Sequence, residues 1–359
     1  MRISDAKTLL TSVFQYNMEQ FEKGTSHKNF IVPYFEGQPG VGKTAACGQV
    51  ADELGVPLHT TIIAQYDAGE LAGFGLPTDV VFVNEDGSEH TEKRVIRARP
   101  DYMPDPKMEN GVVGIWNLDE LPQAFLANQN ICSQLVNTWQ LGEHPVSPGI
   151  TIVATGNAAE HKAGTTSMPM HLRDRLMFIG IEAHHEDFNI YAAQKGLHRW
   201  VRAFIQTNPK YLQMFEVGAK ANPTCRSWEK TSAILSLGLA DHIQREALWG
   251  QIGQGMTTTF EAFFRVEDKM PKWQDILAQP LTAPVFGNEE ADVLYLLLAN
   301  LVEVATEKNI EPMLKYIERL PNQEFMAMWV RDLCNRHPKF DQSRPVTQFK
   351  LTKLPKILV

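Results

Sequence analysis

The chain has 359 residues, of which 43% are hydrophobic and 21% charged, with a formal net charge of -8. These values suit a folded globular chain, and the acidic balance gives no support to a broadly basic nucleic-acid surface. No run reaches the roughly 18 consecutive apolar residues of a membrane span, and the start lacks the pattern of a secretory signal, so a cytoplasmic location is expected.

Residues 5–22 carry Ala6, Leu9, Leu10, Val13, Phe14 and Met18 at helical spacing. The run 30–37, FIVPYFEG, predicts a buried strand that leads straight into glycine. A helix is predicted over 44–55 with Gly55 as its stop, and a second strand over 57–65. Residues 80–96 place two β-rich ends around Asp86-Gly87, the pattern of an inserted hairpin. The stretch 98–111 is rich in Pro, Asp and Gly and predicts an exposed loop.

A third strand is predicted over 112–118, ending in Asp119-Glu120, with a helix over roughly 123–138 and a turn-rich link at 141–149. The run 151–156 predicts a fourth strand, ending at Asn157. A loop follows at 158–169, then a helix-like MHLRDRL and a fifth strand at 177–182. Short apolar strands alternating with helices predict a three-layer α/β sandwich around a mostly parallel five-stranded sheet. Beyond about 185 the patterns are helical, as in 189–206, 226–243, 291–308 and 310–320. The tail after Asp341 is expected to be a docking strand or arm. The domains expected are 1–184 with the hairpin at 80–96, a helical domain at 185–290 and a C-terminal helical extension at 291–359.

The run from Gly37 to Ala45 holds the densest chemistry. Gly37, Gln38, Pro39, Gly40, Val41, Gly42, Lys43 and Thr44 match the phosphate-binding pattern G-x-x-x-x-G-K-[ST]. Glycines let the backbone curl until several N–H groups converge on phosphate oxygens, and the helix that follows adds the positive end of its dipole. In such a loop Lys43 reaches the β- and γ-phosphates of ATP, and the Thr44 hydroxyl ligates Mg²⁺. Asp119, just beyond a buried strand, is the carboxylate expected to hold Mg²⁺ through its water shell. Glu120 beside it is the expected activator of the attacking water, which argues for hydrolysis. Asn157 ends the next strand and can touch both γ-phosphate and water. Ligands of open α/β sheets sit at the carboxyl ends of strands, so Lys43, Asp119 and Asn157 are expected to share one crevice.

This set of residues resembles the AAA+ ATPases, and more narrowly their MoxR-like branch, over about 30–235. The resemblance implies an AAA+ core followed by an all-helical lid and a C-terminal helical extension. It makes 37–44 the Walker A loop, Asp119-Glu120 the end of Walker B and Asn157 a sensor residue. The segment DAGELAGFGLP at 67–77 and the hairpin after it resemble the MoxR helix-2 insert region, and 141–149 falls near the pre-sensor-1 insert. The resemblance further implies a ring, usually a hexamer, in which an arginine of one subunit reaches the nucleotide of the next. In MHLRDRLMFIG, Arg175 takes that place and Arg173 is the rival. The segment NPTCRSWEK resembles the start of the lid helix and offers Arg226 to the γ-phosphate. A protein client is implied, for this branch often one with a von Willebrand A domain.

Other residues read more simply. Cys47, Cys132, Cys225 and Cys334 are far apart and are expected to be reduced thiols. His184-His185-Glu186 reads as the polar start of a helix rather than a metal site. Lys93, Arg94, Arg97 and Arg99 are expected to be solvated charge around the hairpin. Trp228 and the remaining Trp and Phe residues are expected to be core. The sequence admits two other functions: a nucleic-acid motor or loader, and a nucleotide-gated structural or binding protein with little turnover. No basic pore segment or appended winged helix speaks for the former, and Glu120 speaks against the latter.

Overall fold

The computed structural model describes residues 1–105, 112–158, 168–216, 218–265 and 270–354. They fall into two compact units, Met1–Glu182 and Ala183–Val359. In chain order the first unit contains α1 (Ile3–Glu22), β1 (Pro33–Gly37), α2 (Lys43–Leu54), β2 (Leu58–Ile62), α3 (Ala68–Ala72), β3 (Gly75–Val83) and β4 (Glu89–Arg97). It continues with β5 (Val113–Asp119), α4 (Leu126–Thr138), β6 (Gln140–Leu141), β7 (His144–Pro145), β8 (Gly149–Asn157), α5 (Met170–Arg173) and β9 (Met177–Ile181).

Five of these strands form one sheet in the order β2–β5–β8–β1–β9, and every neighbouring pair runs parallel. The central strands are covered on both faces, which is why they read as near-continuous apolar runs: β8 is buried from Gly149 to Gly156. Trp116, Ile150, Ile152, Ala154 and Leu135 belong to the core on one side. Helix α1 adds Ala6, Leu10, Val13 and Phe14, a stripe at spacings of three and four. Its Asn17 is buried too, and clamps the entry to β1. The Asn17 Nδ2 donates to the Ile31 carbonyl at 2.9 Å, while its Oδ1 accepts from the Ile31 N–H at 2.9 Å.

Local details differ from the sequence reading. Strand β1 starts at Pro33, because His27–Asn29 form a 3-10 turn and Phe30 packs edge-on against Trp139. Strand β2 stops at Ile62, where Ile63–Gln65 turn into a 3-10 segment. The link at 141–149 contains part of a small antiparallel pair, β6 with β7. Of the loops expected at 98–111 and 158–169, residues 106–111 and 159–167 lie outside the described residues.

In the second unit every regular element among the described residues is helical. It begins with α6 (His185–Lys195), α7 (Arg199–Thr207), α8 (Cys225–Leu235), α9 (Asp241–Ile252) and α10 (Gln254–Phe264). It continues with α11 (Trp273–Ala278), α12 (Ala291–Glu303), α13 (Ile310–Ile317), α14 (Gln323–Arg336) and α15 (Arg344–Lys353). The pattern at 189–206 is two helices, because Gly196 takes the left-handed conformation (φ 67°) and ends α6. The pattern at 226–243 likewise divides between α8 and α9. Trp228 is fully buried, as expected, with Phe204 and Phe260 against it and its indole N–H donating to the Tyr211 carbonyl at 2.9 Å. A second apolar cluster gathers Leu294, Leu297, Tyr316, Trp329 and Leu333 from α12–α14. An ion cluster on α7, α12 and α14 surrounds the buried Arg202: it donates to Glu303 at 2.6 Å and lies 3.8 Å from Asp332, and Arg336 reaches Glu303 at 3.2 Å.

The tail corrects an expectation. It is neither strand nor arm through residue 353 but the helix α15. Pro345 stands in its first turn, where a missing N–H costs nothing, and Val346 and Phe349 are buried three residues apart. Residues 355–359 lie outside the described residues. Four phenylalanines also escape the expected core: Phe74, Phe125, Phe178 and Phe215 are exposed.

Candidate nucleotide site

Strand β1 ends at Gly37, and the chain turns through Gln38, Pro39, Gly40, Val41 and Gly42 into α2. Gly40 (φ 77°) and Gly42 (φ 105°) both have positive φ, which a side chain would resist, so the loop can curl only with glycine there. Val41 is buried beneath the loop, and Ala45 is exposed in the first turn of α2. The first helical residue is Lys43. Its ammonium folds back, donating to the carbonyls of Gly37 at 3.0 Å and Gln38 at 2.9 Å and to Asn157 Oδ1 at 3.2 Å. Next to it, the Thr44 hydroxyl donates to Asp119 Oδ2 at 3.0 Å.

The parallel register explains these meetings. Gly37 pairs with Asn157 at the carboxyl ends of β1 and β8, while Asp119 closes β5 on the other side of β8. Lys43, Thr44, Asp119 and Asn157 therefore share one end of the sheet, with hydrogen bonds from Lys43 to Asn157 and from Thr44 to Asp119. Glu120 follows on the exposed side, in a left-handed conformation (φ 55°, ψ 33°), and leads into a 3-10 turn at Leu121–Gln123.

Asp119 is held from several directions. Its Oδ1 accepts from the Glu120 N–H at 3.0 Å and from the Thr155 hydroxyl. Thr155 also lies 3.1 Å from Asn117 Oδ1, while Asn117 Nδ2 is buried without a partner. Exchanging the two ends of the Asn117 carboxamide lets Nδ2 donate to Thr155 while the hydroxyl proton stays on Asp119. The sequence reading missed Thr155 and Asn117. The available signal was period two: each stands two residues before a site residue, on the same face of its strand.

The residues fit a magnesium nucleotide. Thr44 Oγ1 and Asp119 Oδ2 are hard oxygen donors 3.0 Å apart. Neighbouring oxygens around octahedral Mg²⁺ are about 2.9 Å apart, given ligand distances of about 2.0–2.1 Å. The curled glycine loop ahead of α2 offers backbone donors and the helix dipole to an anion. Cys47, one turn further into α2, contributes no chemistry: burial first, and Asp119 second, push its thiol up to about 12.

The arginines are placed differently. Arg175 donates to the Ser133 hydroxyl at 2.9 Å and to the His171 carbonyl, so α4 fixes its direction. The Arg173 guanidinium lies 5.7 Å from the centre of the Phe178 ring. Both residues are exposed. Arg226 belongs to the second unit, exposed in the first turn of α8, which starts from a capping box of Thr224 and Ser227. Among the described residues, no cluster of His, Cys, Asp or Glu could hold a metal, and His184 simply stacks on His185. Arg97 and Arg99 donate to backbone carbonyls, of Gly73 and of Pro104 and Pro145, rather than standing free. Among the described residues, no helix is long and apolar enough to cross a membrane.

No family model matches the chain, and no curated protein matches it. Among solved structures it is similar to NtrX from Brucella abortus, at 13% identity and a TM-score of 0.37, over 95% of this chain and 67% of that one. It is also similar to a point mutant of RuvB from Thermotoga maritima, at 14% identity and a TM-score of 0.35, over 79% of this chain and 78% of that one. What the site does is read from its own residues.

Proposed function

We propose that the chain is an ATP-hydrolysing P-loop protein of the AAA+ class that uses Mg²⁺. The observation that carries this reading is the junction of Lys43, Thr44, Asp119 and Asn157 at adjoining strand ends, joined by hydrogen bonds of 3.0–3.2 Å. Backbone N–H groups of Gly40–Thr44 would cradle the phosphates, with Lys43 turning from its loop carbonyls to the β- and γ-oxygens. Thr44 and Asp119 would hold the metal, which when bound neutralises charge on the phosphates. Glu120 would accept a proton from the attacking water, and Asn157, whose Oδ1 already meets Lys43, would orient that water.

The finer reading follows the resemblance to the MoxR-like branch: a homo-oligomeric ring, with six subunits expected, that remodels or activates a client protein, for this branch often one with a von Willebrand A domain. Arg175, aimed by Ser133, is proposed as the arginine offered to a neighbouring subunit, with Arg173 as the alternative. For Arg226 we propose a nucleotide-sensing role. Residues 185–290 are proposed as the lid and 291–359 as its extension.

The test is turnover and binding in parallel. Lys43→Ala is expected to abolish ATP binding. Glu120→Gln is expected to keep ATP binding within a few-fold while reducing hydrolysis at least 100-fold. A wild-type protein without magnesium-dependent ATPase activity would overturn the reading, as would a Glu120→Gln form with full turnover. Affinity capture by the ATP-loaded Glu120→Gln form reports the client class, and recovery of nucleic acid alone would count against a protein client.

A further inference from the structure

The β3–β4 ribbon has no core of its own. All nine residues of β4 are exposed, and on β3 only Val80 and Phe82 are partly covered. Leu76, Val81, Val83, Val95 and Ile96 all count among the exposed large apolar side chains, Val83 at 69% and Val95 at 68%. A two-stranded ribbon is at best marginally stable in water, and its free edges invite pairing. Charges on an edge strand ordinarily keep it single. Here their order does the opposite.

Strand β4 reads Glu89, His90, Thr91, Glu92, Lys93, Arg94, Val95, Ile96, Arg97. About Lys93 the charges are antisymmetric. A second β4 laid antiparallel, with its Lys93 opposite Lys93, sets Glu89 against Arg97 and Glu92 against Arg94, twice each. We propose that β4 is a homotypic docking edge, pairing in this register with β4 of a second copy of the chain to make a four-stranded sheet.

The side-chain rows support the register. Within the ribbon Phe82 pairs with His90, Leu76 with Ile96, Val81 with Thr91 and Pro77 with Val95. Across the new edge, the Phe82–His90 row meets Ile96 and Leu76 of the other copy. The Val81–Thr91 row meets Val95 and Pro77. Apolar side chains that stand in water thus become same-face neighbours, the unit of sheet stabilisation. Glu92 already accepts from Arg94 of its own strand at 3.0 Å, so the paired edge carries an alternating square of two Glu92 and two Arg94. The one like-charge meeting, Lys93 with Lys93, is flanked on both sides by Asp79, the partner of Lys93 in the ribbon. Such a contact has two-fold symmetry, so it joins subunits or rings in pairs and is not the repeating contact of a head-to-tail ring. It does not depend on the ATPase reading.

The test is a disulfide at the symmetry point. Facing residues of an antiparallel pair have Cα atoms about 4.5–5.5 Å apart, within the range a disulfide spans. Lys93→Cys should therefore cross-link two copies under mild oxidation. Glu85→Cys, in the turn at the ribbon's tip, should not, and neither should the wild type. In the Lys93→Cys background, Glu92→Arg or Arg94→Glu alone should lower the yield at least tenfold, because all four charges of the square then share a sign. The two together should restore it to within threefold. These positions are exposed, so the fold is not at stake, and circular dichroism verifies that. The proposal is overturned if Lys93→Cys gives no cross-link, if Glu85→Cys gives as much, or if the yield ignores the charge reversals.

Discussion

Gly156 offers the sharpest test of how the site is held. It lies one residue before Asn157 in β8, and a β-carbon placed on it would lie 2.2 Å from Cδ and 2.4 Å from Cγ of Pro122, and 3.0 Å from the Tyr34 hydroxyl. Ordinary contact between carbons needs about 3.5–4.0 Å, so something must move by more than about 1 Å. β8 is the middle strand of the sheet, bonded on both sides, and cannot give. Pro122 is a rigid ring in the 3-10 turn that Glu120 begins, and that turn is the softer side. Gly156→Ala should therefore push the turn, and Glu120 with it, away from the strand end. Overpacking of this kind costs about 1–3 kcal/mol. Replacing glycine in a strand returns about 0.5–1 kcal/mol of backbone entropy, so the clash wins. For a unit of this size each kcal/mol moves the melting temperature by about 2–4 °C, which gives a fall of up to roughly 10 °C.

The functional effect should be separable. A misplacement of about 1 Å at the reacting centre costs about 100-fold in rate. Lys43 and the glycine loop stand on β1 and α2 and are not displaced directly. The expected outcome is kcat down about 100-fold with ATP affinity within about threefold, measured by coupled ATPase assay and equilibrium nucleotide binding. Unchanged turnover with the expected loss of stability would refute the claim that Pro122 positions Glu120. Lost ATP binding in a folded protein would show that the displacement passes through Asp119 and Thr44 to the loop, and would refute the separation of turnover from binding.

Other substitutions probe the rest of the chain. Arg202→Ala takes the guanidinium away from half-buried Asp332 and leaves Glu303 with Arg336 alone; it should cost about 1.5–3 kcal/mol, read by chemical denaturation of the second unit. In that unit burial lowers His198 to about 4 and raises Asp332 to about 6. The depressed histidine makes stability fall as pH drops from about 6.5 towards 4, whereas the raised carboxyl makes stability fall as pH rises from about 4 to 6. The His198→Asn form should therefore lose stability with rising pH over this window, and Asp332→Asn should gain it more steeply than wild type, in melting curves taken at intervals of pH. At Glu120 the left-handed backbone should rank stability as Glu120→Gly above Glu120→Asn above Glu120→Gln, over a span of about 1–2 kcal/mol, and an inverted order would show that the turn is unstrained.

Much of the first unit was legible because a buried parallel sheet writes itself plainly. β5 and β8 are largely apolar runs, and each ends at a polar residue at the sheet's carboxyl edge. The second unit was legible only as helix. Its interruptions depend on single residues such as Gly196, and apolar periodicity runs on across a left-handed glycine as if nothing had happened. The tail departs from its sequence pattern for a related reason. The alternation in VTQFKL resembles a strand, but burial of Val346 and Phe349 on a helical face settles the local choice, and that depends on neighbours distant in sequence. The same limit explains Phe125, which the sequence reading assigned to the core and which is 74% exposed at the start of α4.

In the site, the sequence carried the residues that would touch nucleotide but not those that hold them. Residues of the glycine-loop pattern stand out because loop curvature and phosphate chemistry constrain their spacing. Thr155 and Ser133 act at second hand, on Asp119 and Arg175, through distances that only the folded sheet defines. Glu120 shows what that support makes possible. A non-glycine residue in the left-handed region costs about 1–2 kcal/mol. It persists here because its own N–H is held by Asp119 Oδ1 at 3.0 Å and its carbonyl accepts from the Gln123 N–H at 3.0 Å. The first bond ties Glu120 to the carboxylate that also receives Thr44. A shift at the phosphate loop that moves Thr44 thus reaches Asp119 and the backbone of Glu120 through two hydrogen bonds. Strain at Glu120 is therefore an argument for coupling: the residue proposed to activate water is held by the same carboxylate that would hold the metal.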